Sequence, residues 1–317
     1  MLQGNGSVFI PYGITVTGLA HSNYQDFTTA DDQRIDATAT DWCANTVRLQ
    51  VAQDVLVGNN GTQFDGAFMK AIEAEVSRAE DLGLVVVINA QTEDVGLQRG
   101  PTNATAAFWK AIIGVYGTDP QLIFDLFNEP RVPMTTAAET WHVWQQGGTV
   151  QGVNYLGEQT LVNDVRADGA PNLVWIEGPY AGGNLNQVGS YPVRGGPLMY
   201  DIHHPGGAHN STVWWHDFGY LVKRGIAPVV DGEWTNYAAA KSECWSDAPQ
   251  AVPSFLTYLQ NHGIGMTAWE LTPGVLIESD SYTDPTHIKA DWSCTNGLDE
   301  GAGHQIMSWY QRQNGGQ

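Results

Sequence analysis

Basic residues are scarce. Fourteen Lys and Arg stand against thirty-four Asp and Glu, a formal charge of −20 over 317 residues. A surface of that sign repels phosphate backbones and anionic lipid headgroups, so neither nucleic acid nor a membrane is an expected partner. Cysteine is scarcer still. Cys43, Cys244 and Cys294 are too few for a disulfide framework, and none forms a C-x-x-C pair that would suggest zinc or redox work. Cys43 reads as a small buried apolar residue. Cys244 and Cys294 lie in loops rich in Trp, Ser and Asp, and whether they pair, as an oxidising compartment would allow, is left open. Long apolar runs are also missing: Leu84 to Ile88 is strand-sized, against the ~20 residues of a membrane span. Residues 1–6 lack the basic and apolar segments of a secretory signal, so they read as the start of a mature domain. Absent too are G-x-G-x-x-G, the G-x-x-x-x-G-K-[ST] phosphate loop and the G-x-S-x-G elbow, which counts against nucleotide binding and serine hydrolysis.

What is present is a regular alternation. Eight apolar runs of strand length recur: Val8 to Thr15, Thr46 to Val51, Val85 to Ala90, Leu122 to Phe127, Leu173 to Glu177, Leu198 to His203, Ala227 to Gly232 and Gly265 to Leu271. Several are almost continuously hydrophobic, as parallel strands covered on both faces are. Helical periodicity separates many of them. Phe64 to Leu82 carries Phe68, Ile72, Val76 and Ala79 on one face, and Trp214 to Lys223 and Val252 to Asn261 repeat the pattern; each stops at a glycine, Gly83, Gly225 or Gly263. Eight such units in a chain of this length predict one α/β domain over residues 1–317, a single (β/α)8 TIM barrel. An open doubly wound sheet would announce its ligand by a Gly-rich first turn, and none is present. Residues 178–196 read as one long loop, and Trp109, Trp141, Trp144 and Trp309 as packing between barrel and helices.

In such a barrel the residues at the carboxyl ends of the strands face the active site. Those ends carry Arg48, Gln91, Asn128 with Glu129, Glu177, His203 with His204, Glu233 with Trp234, and Trp269 with Glu270. Glu129 and Glu233 stand out, because a pair of carboxylates flanking a sugar is the usual equipment of glycoside hydrolysis. Asp125 and Asp231 read as buried hydrogen-bonding groups, and Glu177 and Glu270 as salt-bridge partners or substrate contacts. The histidines around His203 include no H-E-x-x-H pair, so no metal and no cofactor is expected.

With Asn128-Glu129-Pro130 after strand four, Glu233 after strand seven, Arg48 on strand two, His203 after strand six and Trp269 after strand eight, the sequence resembles glycoside hydrolase family 5, cellulase-like retaining barrel glycosidases. The resemblance runs from about Val8 to Tyr310. It implies double displacement with Glu129 as acid/base and Glu233 as nucleophile, Asn128 on the sugar 2-hydroxyl, Arg48 favouring ionised Glu233, His203 beside Glu129 and Trp269 beneath the sugar. Trp234, Gln91 and His204 are further expected substrate contacts. Two departures stand out: Gln91 replaces a usual His, and Pro205 replaces a Tyr whose hydroxyl reaches the nucleophile, with Tyr180, Tyr200 or Tyr237 as substitutes. The expected protein is a secreted, monomeric endo-β-1,4-glucanase-like enzyme acting on a neutral β-linked polysaccharide. The alternatives are a β-mannanase, an exo-β-glycosidase or a non-catalytic carbohydrate-binding barrel.

Overall fold

The computed structural model describes residues 8–93, 99–203, 209–234, 247–272, 275–277 and 302–315. Eight parallel strands close into a barrel: β1 (Tyr12–Val16), β2 (Thr46–Ala52), β3 (Val85–Gln91), β4 (Leu122–Asp125), β5 (Val174–Glu177), β6 (Leu198–Ile202), β7 (Val229–Trp234) and β8 (Gly265–Ala268), with β8 pairing back on β1. The predicted first strand began too early, since Val8 is 67% exposed.

Around the barrel lie α1 (Thr28–Thr40), α2 (Gly66–Asp81), α3 (Asn103–Tyr116), α4 (Ala137–Gln146), α5 (Glu158–Ala167), α6 (211–223), α7 (Ala248–His262) and α8 (Ala302–Asn314). The capping chemistry is local. Asp65 accepts from the Ala67 and Phe68 amides to open α2, and Thr136 and Glu139 form a reciprocal capping box on α4. Two features depart from a uniform barrel. Two helices follow β4, joined by a hairpin of Gly147–Val150 on Val153–Leu156, and residues 178–196 run from β5 to β6 without a helix. Trp109, Trp141, Trp144 and Trp309 are all buried in the layer between strands and helices.

Strand alternation sorts the barrel interior into two layers. Toward the amino ends of the strands, Val87, Ile123, Trp175, Met199 and Val230 form a separate apolar plug. Toward the carboxyl ends the inward residues turn polar: Arg48, Gln50, Asn89, Asp125, Glu177, Asp201 and His203 are all buried. One device breaks the alternation. Met266 pairs with Asp231 while Ala268 pairs with Trp234, so β7 carries one extra residue there. That bulge turns Glu233 inward while Trp234 packs outward.

Outside the barrel wall Glu158 is an unusual burial, 1% exposed with Oε2 unpartnered. It lines a small cavity with Pro130, Trp144 and Pro179. Burial first, then the charges of Glu177 and Asp125, push its carboxyl well above the ordinary range. A carboxyl raised in the folded state adds stability at low pH that is lost as pH climbs through the raised value. Glu158→Gln is therefore expected to melt with the wild type near about pH 4 and several degrees above it near about pH 9. Coincident melting curves at the alkaline end would contradict this.

Candidate active site

The mouth of the barrel is organised around one guanidinium. Arg48 is fully buried on β2; its Nε donates to Asp125 Oδ2 at 2.9 Å, Nη1 to Glu233 Oε2 at 2.8 Å, and Nη2 to Asn128 Oδ1 at 2.9 Å and Glu177 Oε1 at 3.1 Å. Burial alone would favour its neutral form, but Asp125, Glu233 and Glu177 outweigh it and hold the charge. The acids still feel their burial. Asp125 is pushed up to about 6 and Glu177 to about 8, in each case by desolvation, which Arg48 or His203 only partly offsets.

Glu129 stands just beyond β4 with φ +49, a left-handed backbone that a non-glycine residue keeps only where its surroundings impose it. Glu177 imposes it here, its Oε2 accepting the Glu129 amide N–H at 2.5 Å. The same Glu177 meets His203 Nε2 at 3.1 Å, and His203 Nδ1 lies 3.5 Å from Glu129 Oε1. Arg131, two residues on and exposed, reaches Glu129 Oε2. Burial opposes a charge on His203, yet Glu177 and Glu233 raise the imidazole well above its ordinary value. His203 is held by its own backbone as well: its amide donates to the Gly182 carbonyl at 3.1 Å. A Cβ on Gly182, whose φ is +71, would lie 2.8 Å from the His203 Cβ.

Glu233 closes the arrangement from β7. Its Oε2 accepts from Arg48 and from Gln50 Nε2, the latter at 2.5 Å. The facing oxygens of Glu129 and Glu233 and a ring nitrogen of His203 lie within 4.8 Å of one another. Neighbouring Gly232 donates its amide to Asp201 Oδ1 at 2.6 Å, an approach a Cβ would block at 2.0 Å from Oδ2. Arg48 pulls the Glu233 carboxyl toward ionisation, as expected, but burial is the larger effect and the net shift is upward, with Glu129 adding to it. Arg48 thus favours the ionised form, the sign the sequence reading gives it, while burial sets the net direction.

The structure brings Arg48, Asn128, Glu129, His203 and Glu233 together. Trp269 is half-buried past β8, its amide bonded to the Trp234 carbonyl at 2.8 Å. Below it, Thr17 Oγ1 donates to Glu270 Oε2 at 2.7 Å and Arg34 Nε to the Leu271 carbonyl at 3.2 Å, which ties this loop to the first β/α unit. Gln91 ends β3 but spends its Oε1 on the Thr92 amide at 2.9 Å. Trp234 does not line the mouth: it is 0% exposed and stacks on Phe255 of α7 at 6.3 Å, because the β7 bulge sends Glu233 inward and its neighbour outward. The Tyr200 hydroxyl is also turned outward, accepting the Val193 amide at 2.8 Å. His204, Pro205, Tyr237, Cys244 and Cys294 lie outside the described residues. The sequence reading missed Gln50; its place two residues after Arg48 on a strand, hence on the same face, was the available signal.

Comparison with known proteins follows the same lines. The profile of the cellulase family, glycosyl hydrolase family 5, matches residues 5–274. A manganese dependent endoglucanase, Eg5A of Phanerodontia chrysosporium, is 22% identical over 229 residues, 69% of this chain and 51% of that protein, so the chain spans about half the length of this curated relative. Among solved structures, the β-glucanase SdGluc5_26A of Saccharophagus degradans in complex with cellotetraose superposes with a TM-score of 0.69 at 16% identity, over 98% of this chain and 90% of that one. A GH5 cellulase from an Icelandic hot spring isolate gives 0.67 at 15% identity over 98% and 90%. At such identities the structural likeness establishes the fold.

Arg48→Lys tests the hub. A lysine cannot fork to four partners, so Asp125, whose side-chain bond is to the Arg48 Nε, is left buried and unpaired. The expected loss is about 3–5 kcal/mol of unfolding free energy, read by urea denaturation. A loss within about 1 kcal/mol, the range of an exposed ion pair, would contradict the assignment.

Proposed function

This chain belongs to the cellulase family, glycosyl hydrolase family 5, and from that premise we propose a retaining β-glycoside hydrolase that cuts a neutral β-linked glucan, with endo-β-1,4-glucanase action as the leading reading. One observation carries the reading: the facing oxygens of Glu129 and Glu233 lie within 4.8 Å. An approach that close is in keeping with retaining pairs, whose carboxyls lie ~5–5.5 Å apart, rather than with inverting pairs, held ~6.5–9.5 Å apart around a water.

In this reading Glu233 attacks the anomeric carbon while Glu129 gives its proton to the leaving glycosidic oxygen. The bond to the leaving group breaks and a glycosyl ester forms on Glu233. Glu129, now ionised, takes a proton from water; that water attacks the same carbon, and Glu233 departs as a carboxylate. Two inversions give net retention. His203 beside Glu129 and Arg48 beside Glu233 supply the positive charge that a site of converging acids requires. Asn128, its Oδ1 held by Arg48, turns its amide hydrogens toward the sugar 2-hydroxyl, and Trp269 offers a flat face beneath the ring. The whole chain is assigned to one catalytic domain, monomeric and secreted.

The endoglucanase named for the Phanerodontia relative and the cellotetraose bound by the Saccharophagus β-glucanase support a glucan substrate over mannan. The manganese dependence of that relative is not carried over. Among the described residues, the clusters suited to a cation are Glu129–His203–Glu233 and Glu177–Asp201–His203. Arg48 already bonds Glu233 and Glu177 from within them. Activity is therefore expected to survive EDTA, and a loss restored by Mn²⁺ would overturn that assignment.

Glu233→Ala is expected to abolish turnover on carboxymethylcellulose, and near-normal activity would reject the nucleophile. The anomer released first, followed by NMR, should keep the β configuration. Because Glu233 is shifted upward, the acid limb of kcat/KM should lie above the ~4.3 of an ordinary glutamate. A panel of glucan, mannan, xylan and aryl glycosides separates the endo-glucanase from a mannanase or an exo-acting enzyme, and saccharide binding without hydrolysis would mean a silent barrel.

A further inference from the structure

Glu233 is gripped by a second donor besides Arg48. Gln50 sits on the inward face of β2, one step nearer the mouth than Arg48, and is 5% exposed. Its Nε2 donates to Glu233 Oε2 at 2.5 Å and lies 3.3 Å from Asn128 Oδ1. Arg48 bonds the same two oxygens, Glu233 Oε2 at 2.8 Å and Asn128 Oδ1 at 2.9 Å. The four side chains thus form a closed ring in which two donors serve two acceptors. The ring fixes the orientation of the Gln50 amide, because rotation by half a turn would set its carbonyl oxygen against both the Glu233 carboxylate and the Asn128 carbonyl.

We propose that Gln50 is the positioning residue of the nucleophile: it pins Glu233 Oε2, leaves Oε1 as the oxygen that attacks, and couples Glu233 to the Asn128 amide that meets the sugar. This rests on the assignment of Glu233 as nucleophile. Two further features support the role. Arg48 divides its charge among Asp125, Glu177 and Glu233, whereas among the described residues Gln50 bonds one charged group, Glu233. And the amide is neutral, so it stays a donor through the whole cycle. When Oε1 bonds to the anomeric carbon, the lone pair that forms the ester comes from Glu233 and Oε2 becomes the ester carbonyl oxygen. Gln50 and Arg48 then polarise that carbonyl, and they receive the returning charge when water displaces the carboxylate.

The test uses Gln50→Leu and Gln50→Glu, with Glu233→Ala as control, assayed on an aryl β-cellobioside across the pH range. Gln50→Leu removes the donor at similar volume. The expected result is a kcat lower by roughly ten- to hundredfold, the range of a hydrogen bond to a charged group, with KM within about threefold. The acid limb of kcat/KM should move to higher pH, because the ionised form of Glu233 has lost a donor. In Gln50→Glu the new carboxyl can donate only while protonated, so activity should persist at the acid end and fall early on the alkaline side. A loss of folded enzyme that is uniform across the pH range scales the whole profile without moving its limbs, so misfolding of that kind cannot mimic these shifts. If both variants keep the wild-type limbs while Glu233→Ala is inactive, the role of Gln50 is overturned and the nucleophile stands. If Glu233→Ala keeps its turnover, the nucleophile assignment falls, and the role of Gln50 falls with it.

Discussion

One buried cation holds the centre of this molecule together. Arg48 binds Asp125 from β4, Glu177 from β5 and Glu233 from β7 within 3.1 Å, and Asn128 just beyond β4. Four acidic or amide groups from three parts of the barrel could not share so small a dry space without it, because each unpaired buried carboxylate costs several kcal/mol (about 3–5 when one partner of a buried pair is removed). The guanidinium suits the task through shape as much as charge, since its planar fork reaches several acceptors at once where an ammonium is a point. The site is thereby part of the interior of the barrel, and its geometry is set by the same strands that set the fold.

From this hub two supports reach outward. Glu177 carries the constraint to Glu129 through the amide of a residue in left-handed backbone, and to His203 through its other oxygen. Gln50 carries it to Glu233 and Asn128. The carboxylates that converge at the mouth are therefore each held by a neighbour that is itself locked, which is the arrangement a preorganised site requires. The cost is visible in the acids: burial raises Asp125, Glu177 and Glu233 alike. Most of the negative charge of the chain lies elsewhere, and the sign of its surface tells little about the chemistry of the mouth.

Much of this was legible in the sequence because parallel strands leave a plain record. Continuous apolar runs ending in a polar residue marked the barrel, and the ends of those runs marked Arg48, Asn128, Glu129, His203 and Glu233. What escaped was whatever depends on register. A β7 bulge is invisible in the run Val229 to Trp234, yet it decides that Glu233 faces inward and that Trp234 goes to the core beside Phe255. Gln50 shares the inward face of β2 with Arg48, but its bonds to Glu233 and Asn128 join segments far apart in the sequence, and only the closed barrel brings them together. The effect of Arg48 on Glu233 was read with the right sign, but the larger opposing effect of burial can be weighed only in three dimensions. The tyrosine replaced by Pro205 left a donor to Glu233 unassigned in the sequence; among the described residues an amide on β2 gives such a bond.

The most direct test of the account is to trap the covalent intermediate. Incubation with a 2-deoxy-2-fluoro-β-cellobioside bearing a good leaving group should add one fluoro-cellobiosyl unit to the intact mass, and peptide mapping should find it on Glu233. An adduct on another residue, or none from a protein that hydrolyses β-glucan, would contradict the account.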